Sequence, residues 1–163
     1  MCCNVIVFNM SLEELEHKLF VIHSKGLIMP VTHNLRGLTA PSIRKIVNGG
    51  NYQIESLLDY IWSLGLVPSL NDEVLVSATS LGFALVETRK TKGIKQKTLL
   101  AAIREDTPSF TYSRICACEK GRNYERKTLV AYCQGLEKCC GVTMEWDLAP
   151  GNVHLSYADI KSL

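Results

Sequence analysis

Apolar residues recur every three or four positions along most of the chain, and that spacing predicts helices. Leu12, Leu15, Leu19 and Ile22 follow Ser11, which opens a capping pattern completed by Glu14, and the run stops at Gly26. A short second helix is predicted from Met29 to Arg36, ending at Gly37. Thr39 caps a third, with Pro41 in its first turn, Ile43 and Ile46 facing inward and Asn48-Gly49-Gly50 at its end. A fourth carries Ile54, Leu57, Leu58, Ile61, Trp62 and Leu64 on its buried side. Val67 to Asn71 reads as a linker. Beyond it the pattern predicts a long helix from about Asp72 to Lys92, another opening near Lys95, a third capped by Thr111 and a fourth from about Glu125 to Lys138. After Gly141 the period becomes two. Met144, Trp146 and Leu148 alternate with polar residues, Ala149 to Asn152 is a turn, and Val153, Leu155 and Tyr157 alternate again. This predicts a β-hairpin over 144–157. Two strands alone are marginal, so the hairpin is expected to lie on the helices or pair with that of a second subunit.

The pattern also repeats. Ile43, Gly49, Asn51, Tyr52, Leu57, Tyr60 and Leu64 recur 72 residues later as Ile115, Gly121, Asn123, Tyr124, Leu129, Tyr132 and Leu136. Turn residues fall on turn residues, which implies a duplicated module. The expected organisation is a first module over 1–68, a second over 69–142 and a C-terminal hairpin or tail over 143–163.

Composition changes the picture in one respect. The 163 residues carry a net charge of only +2 and a globular share of apolar residues. From Thr88 to Lys127, however, eleven Lys or Arg face four acids, whereas Met1 to Leu70 holds five of each sign. The second half is therefore the part suited to a polyanion. No run approaches the length of a membrane span, and the first residues lack the basic flank of a signal peptide, so a cytoplasmic protein is expected. Seven cysteines, without CxxC pairs, are expected as free thiols packed as small apolar residues rather than as zinc ligands.

Two helices joined by a turn, the second capped by Thr, then a Gly-bearing loop and another helix, make a helix-turn-helix arrangement. In the second copy Leu81-Gly82, Arg89, Lys92-Gly93-Ile94, Gln96, Leu99, Ile115 and Cys118-Glu119-Lys120-Gly121-Arg122 resemble the lambda-repressor-like, Cro/Xre-type DNA-binding domains. In the first copy Lys25-Gly26-Leu27, Gly37-Leu38-Thr39, Ile43, Ile46, Asn48-Gly49 and Leu64-Gly65-Leu66 resemble them too. The resemblance covers about three-quarters of the chain. It implies a mainly α fold of two tandem helix-turn-helix modules with the short C-terminal hairpin, and a link between Arg89 and Glu119 that is scaffold rather than catalysis. The first copy departs from the family at Met29 and Val47, where Gln and Glu are usual. The second has about five extra residues around Arg104 to Pro108, which lengthen the turn.

The implied function is sequence-specific binding of double-stranded DNA, as in a transcriptional regulator, chiefly through the second module. Thr111, Tyr112, Ser113 and Arg114 open its recognition helix, with Arg114 suited to a base edge. Gln96 is placed to anchor its helix start on a phosphate, and Lys95, Lys97 and Arg122 to neutralise backbone charge. In the first module Ser42, Arg44 and Lys45 are the corresponding candidates, beside Ala40 and Pro41, which offer no hydrogen-bonding side chains. Self-association into a homodimer is expected, although tandem modules could form a pseudo-dimer within one chain. The alternative reading is a protein-interaction or assembly module on the same fold. Scattered histidines, with no spaced nucleophile, base or paired carboxylates, point away from an enzyme. Neither a metal, a cofactor nor a small-molecule effector is implied.

Overall fold

The computed structural model describes residues 10–28 and 38–163. The predicted helix from Met29 to Arg36 lies outside them. The described residues form a mainly helical fold with one small antiparallel sheet. The elements in chain order are α1 (Leu12–Ser24), α2 (Ala40–Val47), α3 (Ile54–Ser63), β1 (Leu66–Leu70), β2 (Glu73–Val74), α4 (Ala78–Thr91), α5 (Gln96–Asp106), α6 (Tyr112–Glu119), α7 (Arg126–Cys140), β3 (Trp146–Pro150) and α8 (Tyr157–Ser162).

Local chemistry sets the helix ends. Ser11 and Glu14 form the reciprocal capping box at α1. Thr39 accepts the Ser42 N–H at the start of α2, which carries Pro in its first turn. Thr111 stands at the same place before α6, but its hydroxyl meets Ser113 Oγ (2.9 Å) instead of a backbone N–H. The 72-residue offset reappears in three dimensions. Helices α2 and α6 begin 72 residues apart, as do α3 and α7, and Gly49 and Gly121 both end their helices at φ +65°.

The sheet differs from expectation. β3 does form at Trp146–Pro150, but its partner is β1, the segment expected as a linker, in register Leu66↔Pro150 through Leu70↔Trp146. No hairpin closes within 143–163. Residues 151–155 bend without pairing, and Ser156 and Asp159 then form a capping box that opens α8 at Tyr157, the last residue of the predicted return strand. The expected helix from Asp72 starts only at Ala78, because Glu73 and Val74 fold back on β1 as β2. The two residues between them, Asn71 and Asp72, both have positive φ, as a two-residue type I′ turn demands. The expected module boundary at 68 thus falls inside a central strand. The sheet order is β2-β1-β3, and Met10 bridges the outer side of β3 at Trp146.

One continuous core joins sheet and helices. Trp146, Leu148, Leu66 and Leu70 are buried together with Leu15, Leu19, Leu57, Ile61, Leu81, Leu85, Leu99, Leu129 and Leu136. Helix α4 lies directly on the loop after α6. A Cβ at Gly121 would stand 2.2 Å from the Thr79 Cα and 2.7 Å from the Ala78 carbonyl oxygen. Gly121→Ala combines left-handed strain with a backbone clash, so it is expected to cost about 2–5 kcal/mol. Gly141→Ala adopts the same φ region but meets nothing within 4 Å, and should cost only about 1–2 kcal/mol. Urea unfolding of the two variants checks this; equal losses would contradict the close helix–loop approach.

Candidate nucleic-acid interface

The second half builds a polar cluster beneath an exposed helix face. Helix α6 turns Ile115 and Cys118 into the core, against α4, α5 and α7. That leaves Tyr112, Ser113 and Arg114 on its exposed side. At its C-terminal end Glu119 points back under the helix. Arg89 of α4 donates to both carboxylate oxygens, from Nε to Oε1 (2.5 Å) and from Nη2 to Oε2 (3.0 Å). The Tyr132 hydroxyl of α7 donates to Oε1 (2.8 Å), and the Gln96 amide of α5 to Oε2 (2.6 Å). Arg89 Nη1 also donates to the Ile94 carbonyl (2.7 Å). One carboxylate thus ties four helices together. Burial opposes its charge, but the bonds from Arg89, Tyr132 and Gln96 outweigh that and hold the Glu119 carboxyl below its ordinary range.

Gln96 is therefore placed differently from expectation. Its amide nitrogen is engaged by Glu119, and its carbonyl accepts the Tyr112 hydroxyl (2.6 Å). One N–H of the amide remains for an outside acceptor. Tyr112 is half exposed, but its hydroxyl is committed to Gln96, so it offers ring rather than hydroxyl to a ligand. The extra residues around Arg104 to Pro108 do not simply lengthen a turn. Arg104 to Asp106 extend α5, and the connection that follows is pinned by buried Phe110 and by Arg104 Nε donating to the Phe110 carbonyl (2.9 Å).

Arg114 is exposed, with its guanidinium 5.7 Å from the centroid of the Phe110 ring. Lys95, Lys97, Thr111 and Arg122 are exposed as well. The acids of the basic stretch are occupied elsewhere: Glu105 and Asp106 by Lys138, Glu119 by Arg89, and Glu125 by Lys127. Among the described residues Lys95, Lys97, Arg114, Lys120 and Arg122 make no ion pair within 4.0 Å. A cleft lined by Lys90, Lys95, Gln96, Cys116 and Lys120 runs beside α6. In the first half Arg44 and Lys45 are exposed on α2, whereas Ser42 is half-buried and its hydroxyl meets Thr39 Oγ1 (3.0 Å).

Sequence reasoning missed a second buried cluster. Glu16 of α1 accepts the Tyr52 hydroxyl and both Nε and Nη2 of Arg126 on α7, the last at 2.9 Å. Burial, and then the Glu16 charge, push the Tyr52 hydroxyl well above its ordinary range. The available signal was Glu16 itself, a charge on the apolar stripe between Leu12, Leu15 and Leu19. Of the cysteines, Cys118 is buried and Cys133 half-buried, and burial drives both thiols upward, Cys133 to about 12. Among the described residues no three His, Cys, Asp or Glu side chains converge as a metal site, and no helix is long and apolar enough to cross a membrane.

Comparison with protein-family models, curated proteins and solved structures finds no match to this chain.

The Glu119 cluster makes a prediction. Glu119→Gln keeps the shape but leaves the Arg89 guanidinium buried without a counter-ion, at a cost of about 3–5 kcal/mol at neutral pH. A carboxyl held low in the folded state stabilises fully above its unfolded pKa of about 4.3, and less as pH falls through the folded value. The gap between wild type and variant should therefore narrow on acidification. Denaturant midpoints from neutral pH down to the acid limit of folding measure it; a constant gap would contradict the charge pairing.

Proposed function

We propose that this protein binds double-stranded DNA in the manner of a helix-turn-helix regulator, with α6 as the principal reading helix. The observation that carries this reading is the exposed first turn of α6, flanked by Lys95, Lys97 and Arg122, which make no ion pair within 4.0 Å among the described residues. Base edges in the major groove are read by short helices presenting Arg and hydroxyl side chains, and affinity comes chiefly from phosphate neutralisation. Arg114 and Ser113 supply the first requirement; Lys95, Lys97 and Arg122 supply the second. The two halves resemble tandem helix-turn-helix modules, with α5 and α6 as the turn-linked pair of the second.

A second reading, a protein-interaction module, draws on Val74 of β2, Val76 of the connection that follows and Phe83 of α4, which are 49 %, 68 % and 60 % exposed. Large apolar side chains this open favour a protein partner. Binding to several duplexes at two salt concentrations separates the readings. Under the DNA reading, Arg114→Ala loses about 1–3 kcal/mol and relaxes preference at one base position. Lys97→Ala weakens all duplexes alike and lowers the salt slope by about one unit. Ser42→Ala does much less. Absence of salt-dependent binding to any duplex would sink the DNA reading and leave the interaction module.

A further inference from the structure

The contacts that join the two halves are reciprocal. At the bridge between Gln53 and Glu125, the Ile54 N–H donates to the Tyr124 carbonyl (2.9 Å) and the Arg126 N–H to the Tyr52 carbonyl (2.8 Å). Exchanging residues 72 apart converts the first bond into the second. The side chains beside them obey the same exchange. The Glu55 N–H donates to Asn123 Oδ1 (3.3 Å), and the Lys127 N–H to Asn51 Oδ1 (3.2 Å).

The sheet repeats the exchange in topology, though not residue for residue, since β1 and β3 stand 80 rather than 72 residues apart. β1 trails α3 and β3 trails α7, and the two pair antiparallel about Pro68↔Leu148. Outside them, β2, which leads into α4, pairs with β1, and Met10, which leads into α1, pairs with β3. Each half therefore gives its leading segment to the trailing strand of the other. Two separate contacts, a loop bridge and a strand pair, thus share one approximate two-fold relation. Symmetric dimers of separate chains bring two equivalent helices to one duplex in this way.

We infer that a single copy of this chain acts as a pseudo-dimer and occupies two half-sites, one through α6 and one through α2, with unequal roles. This rests on the DNA reading above. The α6 half offers Ser113 and Arg114 for bases, whereas the matching positions on α2 are Pro41 and Ser42. Its exposed cations, Arg44 and Lys45, lie further along the helix and suit phosphates. The half-sites lie one helical turn apart. Helices α2 and α6 end six residues before Gln53 and Glu125, and six residues reach at most about 22 Å. With about 5 Å across the bridge, the helix ends lie within about 49 Å. That admits one turn of B-DNA, about 34 Å, and excludes two. The loop bridge and the strand pair, contacts that a symmetric dimer would make between two chains, are formed here within one chain.

The test uses the full chain and a duplex of about 30 base pairs selected from a random-sequence pool. Expected are a monomer in sedimentation, a one-to-one complex, and two hydroxyl-radical footprints one turn apart. Base substitutions should matter within one footprint only. Arg114→Ala should abolish that base preference while both footprints persist. Arg44→Ala with Lys45→Ala should erase the other footprint, weaken binding about tenfold and lower the salt slope by about two units. Two chains per duplex, or one footprint, would overturn the pseudo-dimer while leaving DNA binding in place. Recovery of no bound duplex from the pool would overturn both.

Discussion

Neither half of this protein closes its own sheet, and that constraint governs the rest. β1 leaves the first half with only the two-residue β2 beside it until β3 arrives from the end of the chain, across the register Leu66↔Pro150 to Leu70↔Trp146. Burying an unmade backbone ladder is costly, so both strands must meet before either can enter the core. Once they meet, Leu66, Leu70, Trp146 and Leu148 become a shared floor for α1, α3 and α8. The loop bridge between Gln53 and Glu125 fixes the opposite contact, so the halves are held at two places rather than hinged at one.

The two halves share a plan but distribute their polar groups differently. Glu119, with Arg89, Gln96 and Tyr132, secures the second half, whereas the position matching Glu119 is Val47 and the Tyr60 hydroxyl meets His23 Nδ1, at 3.3 Å. Between the halves the pattern inverts. Tyr52 reaches Glu16 and Arg126, but its counterpart Tyr124 is buried beside the Cys118 thiol, and its hydroxyl lacks a well-formed hydrogen bond among the described residues. Across that same interface Ile54 stands where a guanidinium would be needed to repeat the cluster, and Gly82, which matches Glu16 when α4 and α1 are aligned at their first residues, offers no carboxylate. A buried ionic cluster is a weak source of net stability, because desolvation offsets attraction. Its stronger effect is geometric: the bidentate Arg89–Glu119 pair admits one arrangement of α4 against α6.

Helix ends were legible in the sequence because their chemistry is local. Ser11 with Glu14, Thr39 with Pro41, and the glycines after α2 and α6 each act within a few residues. The strands were not, because β1 and β3 pair across nearly half the chain, and Pro68 argues against a central strand when read alone. It is tolerated there with its carbonyl accepting the Leu75 N–H at 2.9 Å. Two local signals were overridden by periodicity. Asn71-Asp72 is turn chemistry inside what reads as linker and helix, and Ser156 with Asp159 is a capping box that begins at the end of what reads as a strand. The interface residues were visible as charge without partners, but their commitments were not. Nothing in the spacing of Gln96 and Tyr112 shows that they satisfy each other.

Those commitments bear on how the proposed reading could work. Direct readout of a base needs a side chain held to a fraction of an ångström, whereas a phosphate contact by Lys tolerates far more play. Helix α6 meets the stricter demand: Glu119 binds its C-terminal end to α4, α5 and α7, and the Tyr112–Gln96 bond fixes its first turn to α5. Helix α2 has no equivalent carboxylate, since Val47 only packs. Its exposed cations also ride on flexible stems at its far end. The asymmetry of the buried networks and that of the exposed side chains therefore agree. A hydrogen-bonded network lies beneath the helix that carries Arg114, and apolar packing by Ile46 and Val47 lies beneath the one whose surface, in that reading, suits only the DNA backbone.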